Sequence, residues 1–415
     1  MNLNPHSLTV ALPTSTFLPS LGGVEVGLHR IASGLLDMGC QPIIFTDPGH
    51  INACKAKGMI LPYPLIPFPK RIFGILYRCP ALGFYILDRF FAYYHKKLSI
   101  DIWHGTMGYP SGIALAHFAS NRSNIPHLIR CCGEDIQIQD SIGYGLRLDK
   151  KIDMLVREWL PKSQSLVAIT ESVAEEYRAL GISEKKIKFI PNGVDIHRFS
   201  LGQPREQTRQ LLNIPLDYPM ILSVGRNHPK KNYDILIHVA VELQKRGKKC
   251  CFVIVGLNAT SLKPLANQYG VEEMFRLFEP LDDGAVHQEA LLKLPSQNLI
   301  NVYRAADIFL FPSLIETFGI VIVEAMAAGL PVIAGDSPGC RDVIRNGRDG
   351  LIVNPLDTNK IADAVEEILE SSELQKLLSQ RSNERAKDFD WSCVISKYLN
   401  HYKSLIRSCK KNNVI

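Results

Sequence analysis

Short apolar runs recur along the chain, separated by stretches whose apolar positions repeat every three to four residues. Ser7–Ala11, Pro42–Thr46, Ile100–His104, His127–Cys132 and Ser165–Ile169 are apolar almost throughout, as strands covered on both faces must be. Helical spacing lies between several of them, in Val24–Met38 and Ser172–Leu180. The alternation then restarts. Pro219–Val224, Cys250–Val255, Ile308–Phe311 and Pro331–Ala334 read as strands, and Asp234–Arg246, Gly319–Ala328 and Asn359–Ser371 as helices. Two successive β-α series predict an α/β protein of two doubly wound parallel-sheet domains. Gly, Pro and charged residues collect over Asp195–Glu206, so the domains are expected at 1–197 and 198–390. From Trp391 a last helix follows, with Ile395, Tyr398 and Leu399 at helical spacing.

Composition changes this picture little. Of 415 residues 46% are hydrophobic and 21% charged, ordinary for a globular enzyme. The net charge of +6 arises mostly in the first 200 residues, which carry 21 Lys and Arg against 16 Asp and Glu. That excess suits an acidic ligand or an anionic membrane surface, and it is too dispersed for nucleic acid. The ten Cys include no C-x-x-C and read as reduced and mostly buried, which predicts a cytoplasmic protein. The first residues lack a basic region followed by an apolar run, so no signal peptide is expected. Residues 72–94 and 318–335 are the longest apolar stretches, but Arg78, Asp88, Arg89 and Glu324 within them argue against membrane spans.

Three places carry candidate chemistry. Gly22-Gly23 follows the first strand and opens a helix, where bare backbone and free amides suit a phosphate or simply a turn. It is not a G-x-G-x-x-G fingerprint. Gly225-Arg226 ends a strand and Lys231 starts the next helix. Two cations at the carboxyl end of a strand suit a diphosphate, or form a solvated loop. The third is the block Phe311–Ala334: a strand end, a loop with Glu316-Thr317-Phe318-Gly319, and an apolar helix containing Glu324. A lone Glu in so apolar a helix needs a partner or a ligand. A carboxylate is a good acceptor for vicinal hydroxyls. Asp282-Asp283 reads as a surface loop rather than a D-x-D metal site.

Glu316 and Glu324 are seven residues apart, and this E-x7-E spacing resembles that of retaining glycosyltransferases with the GT-B fold. With Gly22-Gly23, Thr170-Glu171-Ser172, Ile190–Asp195, Gly225-Arg226, Lys231 and Tyr303–Asp307 in order, most of the chain is similar to the family 4 group. The resemblance implies two Rossmann-like domains facing across a cleft, with residues 391–415 crossing back to the first, acceptor-side domain. It implies a nucleotide diphosphate sugar, UDP- or GDP-linked, held mainly by 198–390. Arg226, Lys231 and the amide of Gly23, beside Gly22, would grip the diphosphate. Glu324 would bind the ribose, and Glu316 with Thr317, Phe318 and Gly319 the sugar. No cofactor and no metal would be needed.

Many relatives carry a His near the anomeric carbon, where this chain has Cys132-Gly133. Asp135 or Glu134 is expected to supply a polar group there, Arg130 to meet an anion, and His104, at another strand end, is a further candidate. Catalytic roles are therefore expected for Glu316, Asp135 and His104. The acceptor would be a saccharide or lipid-linked, as in polysaccharide or lipopolysaccharide assembly. Residues 70–97 interleave six basic residues with eight aromatic ones, and form either a core-packed hairpin or a peripheral contact with the inner face of the membrane. The other class of reading is a catalytically silent nucleotide-sugar-binding subunit.

Overall fold

The computed structural model describes residues 7–412 apart from 21, 69, 123 and 282–293, so the Asp282-Asp283 loop lies outside the described residues. The chain divides into two compact units, Met1–Asn192 with Trp391–Ile415, and Gly193–Asp390.

The first unit contains seven strands: β1 (Thr9–Pro13), β2 (Gln41–Thr46), β3 (Leu65–Pro67), β4 (Ile102–Thr106), β5 (His127–Arg130), β6 (Leu166–Ala168) and β7 (Ile187–Phe189). All pairings are parallel, in the order β3-β2-β1-β4-β5-β6-β7. The second unit contains β8 (Met220–Val224), β9 (Cys251–Val255), β10 (Phe275–Phe278), β11 (Ile308–Phe311), β12 (Val332–Gly335) and β13 (Leu351–Val353). These too are parallel, ordered β10-β9-β8-β11-β12-β13. Each sheet reverses its order once, between β1 and β4 and between β8 and β11. In open α/β sheets ligands bind outside the strand ends at such a switch point.

Nine strands coincide with the apolar runs to within two residues. The other four, β3, β7, β10 and β13, are short and mostly half-exposed, and so lack an unbroken apolar run. The unit boundary falls at Gly193 rather than after 197. Residues 194–199 are tied into the second unit, where the Val194 amide donates to the Phe389 carbonyl (2.8 Å) and Phe199 packs edge-on to Tyr303.

The last helix, Trp391–Asn412, belongs to the first unit and packs on the helix Gly23–Asp37. Contact is close: a Cβ on Gly34 would stand 2.6 Å from Ile395 Cγ1. Residues 70–97 form two helices, Arg71–Arg78 and Pro80–Lys97. Both sequence readings of this segment describe part of it. Leu76, Phe84, Leu87 and Phe91 are buried, and Gly83 sits against the backbone of Leu76. Tyr77, Tyr85, Tyr93 and Leu82 are exposed beside Lys70, Arg71, Arg78, Arg89, Lys96 and Lys97. Among the described residues no helix is long and apolar enough to cross a membrane.

Candidate active site

In the second unit, three loops meet beyond the carboxyl ends of β8, β11 and β12. Gly225, at φ 146°, ends β8 and is followed by exposed Arg226. The next turn, Pro229–Lys231, closes on Asn232 in the left-handed conformation. The loop after β11 is laced to this turn: the Leu314 amide and the Ser313 hydroxyl both donate to the Lys230 carbonyl (2.8 Å each). The loop after β12 joins them, with the Ser337 hydroxyl on the Ser313 carbonyl (2.7 Å) and the Glu316 amide on the Pro338 carbonyl (2.9 Å). Backbone bonding of this kind fixes side chains better than contacts between long flexible ones.

The fixed side chains are an ion pair and its escort. Lys231 Nζ donates to Glu316 Oε1, the Ser313 hydroxyl reaches the same oxygen (3.1 Å), and Lys230 Nζ lies 3.9 Å away. Glu316 is only 8% exposed. Burial pushes its carboxyl up, but Lys231 and Lys230 outweigh that and hold it below the usual carboxylate value. Thr317 and Phe318 are buried, and Gly319, at φ 78°, turns the chain into the helix Ile320–Ala327. One turn into that helix Glu324 is buried, and its Oε2 accepts from the Tyr303 hydroxyl (2.8 Å). Glu324 thus has the partner that its apolar helix demands, and the two carboxylates flank one loop–helix junction.

The sequence reading placed Arg226, Lys231, Glu316, Thr317, Phe318, Gly319 and Glu324 near one another, and the fold gathers them in one unit. It gave no role to Lys230, Ser313 or Gly339, and counted Tyr303 only within the Tyr303–Asp307 block, not as the partner of Glu324. Gly339 leaves no room for a Cβ, which would collide with the Glu316 carbonyl. The signal for Gly339 was Pro338-Gly339 after a strand, a turn pair common enough to pass unnoticed.

The first unit holds the remaining candidates. Gly22, extended, precedes the Gly23–Asp37 helix without a side-chain cap. Glu25, in its first turn, takes a hydrogen bond from the Thr16 hydroxyl and folds over Gly22. Two catalytic expectations are corrected here. His104 is fully buried in β4, with Nδ1 2.7 Å from Tyr402 Oη and its ring stacked on Tyr398 of the last helix. Burial, reinforced by Arg130 and His401, holds it neutral. A histidine without solvent access is a core residue.

Asp135 is also fully buried. Its two oxygens accept from the amides of Gly108 (2.5 Å), Cys132 (3.1 and 3.3 Å) and Gly133 (2.7 Å). Burial raises its carboxyl and these amides offset only part of the rise. Both oxygens are engaged in shaping the loop, which leaves Asp135 a structural anchor. Arg130, 1% exposed, donates to Cys132 Sγ (2.9 Å) and to Asn192 rather than facing an anion.

The family model "Glycosyltransferase Family 4" matches residues 21–198, and "Glycosyl transferases group 1" matches residues 204–385. D-inositol 3-phosphate glycosyltransferase 2 of Catenulispora acidiphila is 30% identical over 94% of this chain and 91% of its own. Sucrose-phosphate synthase of Thermosynechococcus elongatus superposes with a TM-score of 0.74 at 20% identity, over 97% of this chain and all of its own. Anabaena HepE in complex with UDP-glucose gives 0.73 at 17% identity, over 96% of this chain and all of its own. Two Rossmann-like parallel sheets with these neighbours define a glycosyltransferase of the GT-B type. The chain belongs to glycosyltransferase family 4, with the group 1 domain as its second unit.

Proposed function

We propose that the protein transfers a hexose or N-acetylhexosamine from a nucleotide diphosphate sugar to a saccharide or lipid-linked acceptor, with retention and without a metal. The observation that carries this reading is the buried Lys231–Glu316 pair beside Glu324 at the switch point of the second sheet. Lys231 and exposed Arg226 supply positive charge where a diphosphate would leave, and fixed charge of that kind lowers the barrier to departure. Glu316, released from Lys231 by the ligand, accepts from sugar hydroxyls, and Glu324 from those of the ribose. The bond from the anomeric carbon to the diphosphate breaks, the acceptor oxygen bonds on the same face, and a phosphate oxygen takes its proton. UDP-sugars are the first donors to try, because the Anabaena structure that resembles this fold holds UDP-glucose.

The test is thermal melting with UDP-, GDP-, ADP- and TDP-sugars, with and without EDTA. A ligand that binds only the folded state raises its apparent stability. One donor is expected to raise the melting temperature in EDTA, and Lys231→Ala to abolish the rise. Retention is read from the anomeric configuration of the product; an inverted product overturns that part.

A second reading, a silent donor-binding subunit, is favoured by Arg130 and Cys132 being paired with each other where relatives carry a His. Donor binding without transfer to any of a panel of acceptors would establish it. For the acceptor side we propose a cytoplasmic protein that touches an anionic membrane face through the exposed tyrosines and cations of 70–97, in polysaccharide or lipopolysaccharide assembly. Co-sedimentation with vesicles rich in phosphatidylglycerol, lost in high salt, is the expected result; equal binding to neutral vesicles would overturn it.

A further inference from the structure

Tyr233 stands between the Pro229–Lys231 turn and the helix Asp234–Lys245. Its side chain is 1% exposed, and its hydroxyl has no hydrogen-bond partner among the described residues. A buried hydroxyl left unpaired is destabilising, and phenylalanine would fill the same space without that penalty. The position of the oxygen is informative. It lies 2.9 Å from the point a Cβ on Gly225 would occupy, and Lys231 Cε and Nζ lie 3.5 and 3.9 Å from that point. The phenol thus shares with Lys231 the bare backbone at the end of β8. Burial, with the charge of Glu316 nearby, keeps it protonated and able to donate.

We infer that the Tyr233 hydroxyl is a further donor-binding contact, which hydrogen-bonds the same diphosphate oxygen that Lys231 neutralises once the lysine turns from Glu316 to the ligand. This rests on the nucleotide-sugar reading of the site. Phosphate oxygens only accept, so the Lys231 Nζ and the phenol O–H beside the same bare backbone complement them, whereas a sugar hydroxyl would also need an acceptor. The phenol is buried while Lys231 is paired with Glu316, so the contact requires that pair to open. Nothing in the E-x7-E or Gly-Arg…Lys motifs points to this residue.

The experiment compares wild type, Tyr233→Phe and Lys231→Ala by thermal melting against inorganic pyrophosphate, UDP, GDP, ADP and TDP. Tyr233→Phe is expected to melt at the wild-type temperature or above without ligand, because the unpaired hydroxyl is gone. Its apparent affinity for the nucleotide that stabilises wild type is expected to fall about tenfold, the weight of one hydrogen bond to a charged acceptor. A merely packing role would leave the affinity unmoved. If wild type and Tyr233→Phe bind the nucleotide equally, this inference falls and the reading of the site stands. If wild type responds to none of the probes, the reading falls and takes the inference with it.

Discussion

At the residue scale the site is governed by a buried charge pair that cannot lose one member cheaply. Removing one partner of such a pair leaves the other charge stranded, at roughly 3–5 kcal/mol. Lys231→Met is therefore expected to lower the melting temperature as well as abolish donor binding, while Glu316→Gln keeps the shape and removes the charge. Transfer by Glu316→Gln at the wild-type rate would refute the role of this carboxylate. Acid provides a second check. The Glu316 carboxyl lies below its ordinary value when folded, so its contribution to stability is complete above the ordinary carboxylate range and is lost as pH falls through the lower folded value. Melting temperatures between pH 6 and 3 should fall more steeply for wild type than for Glu316→Gln. Tyr303→Phe leaves a Glu324 oxygen without its hydroxyl, and about 1–3 kcal/mol of stability is expected to go with it.

At the element scale, two left-handed glycines hold the loop around Glu316. Gly319 starts the helix Ile320–Ala327, and a Cβ there meets Ile322 Cδ1 at 2.9 Å, the far end of a side chain that can turn aside. A Cβ on Gly339 meets the carbonyl of Glu316 itself, which has nowhere to go without moving the carboxylate. Gly339→Ala is thus expected to cost more stability than Gly319→Ala, and to reduce the donor-induced rise in melting temperature. The reverse ranking would mean that the Pro338–Glu316 bond does not set the loop. The sequence showed the E-x7-E loop because apolar periodicity and two acidic residues mark it. Gly339 stayed illegible because its importance comes from a segment 23 residues away in the chain.

At the scale of the whole molecule, buried histidines add to the sensitivity to acid. In the first unit His127, fully buried, is held to about 4 by burial, and His401 to about 4 by burial and Lys188; His104 also lies well below its usual value. Groups depressed in the folded state stabilise it above their unfolded value, near 6.5, and lose that contribution as pH falls toward 4. His127 alone accounts for something on the order of 3 kcal/mol over that window. Calorimetry is expected to show proton uptake on unfolding between pH 6.5 and 4, and no uptake would contradict the buried neutral histidines.

What the sequence determined by itself was the alternation of elements, since a strand covered on both faces must be apolar and a helix on a sheet must repeat every three to four residues. It also determined the motif at 316–324, because the residues that share that site lie within one loop and helix. Only the tertiary structure decided which polar residues are reachable. His104 and Asp135 sit at strand and loop positions that look open in one dimension. The Trp391–Asn412 helix covers the first and three backbone amides occupy the second. Burial and hydrogen-bond saturation are properties of neighbours distant in the chain, and local pattern carries no record of them.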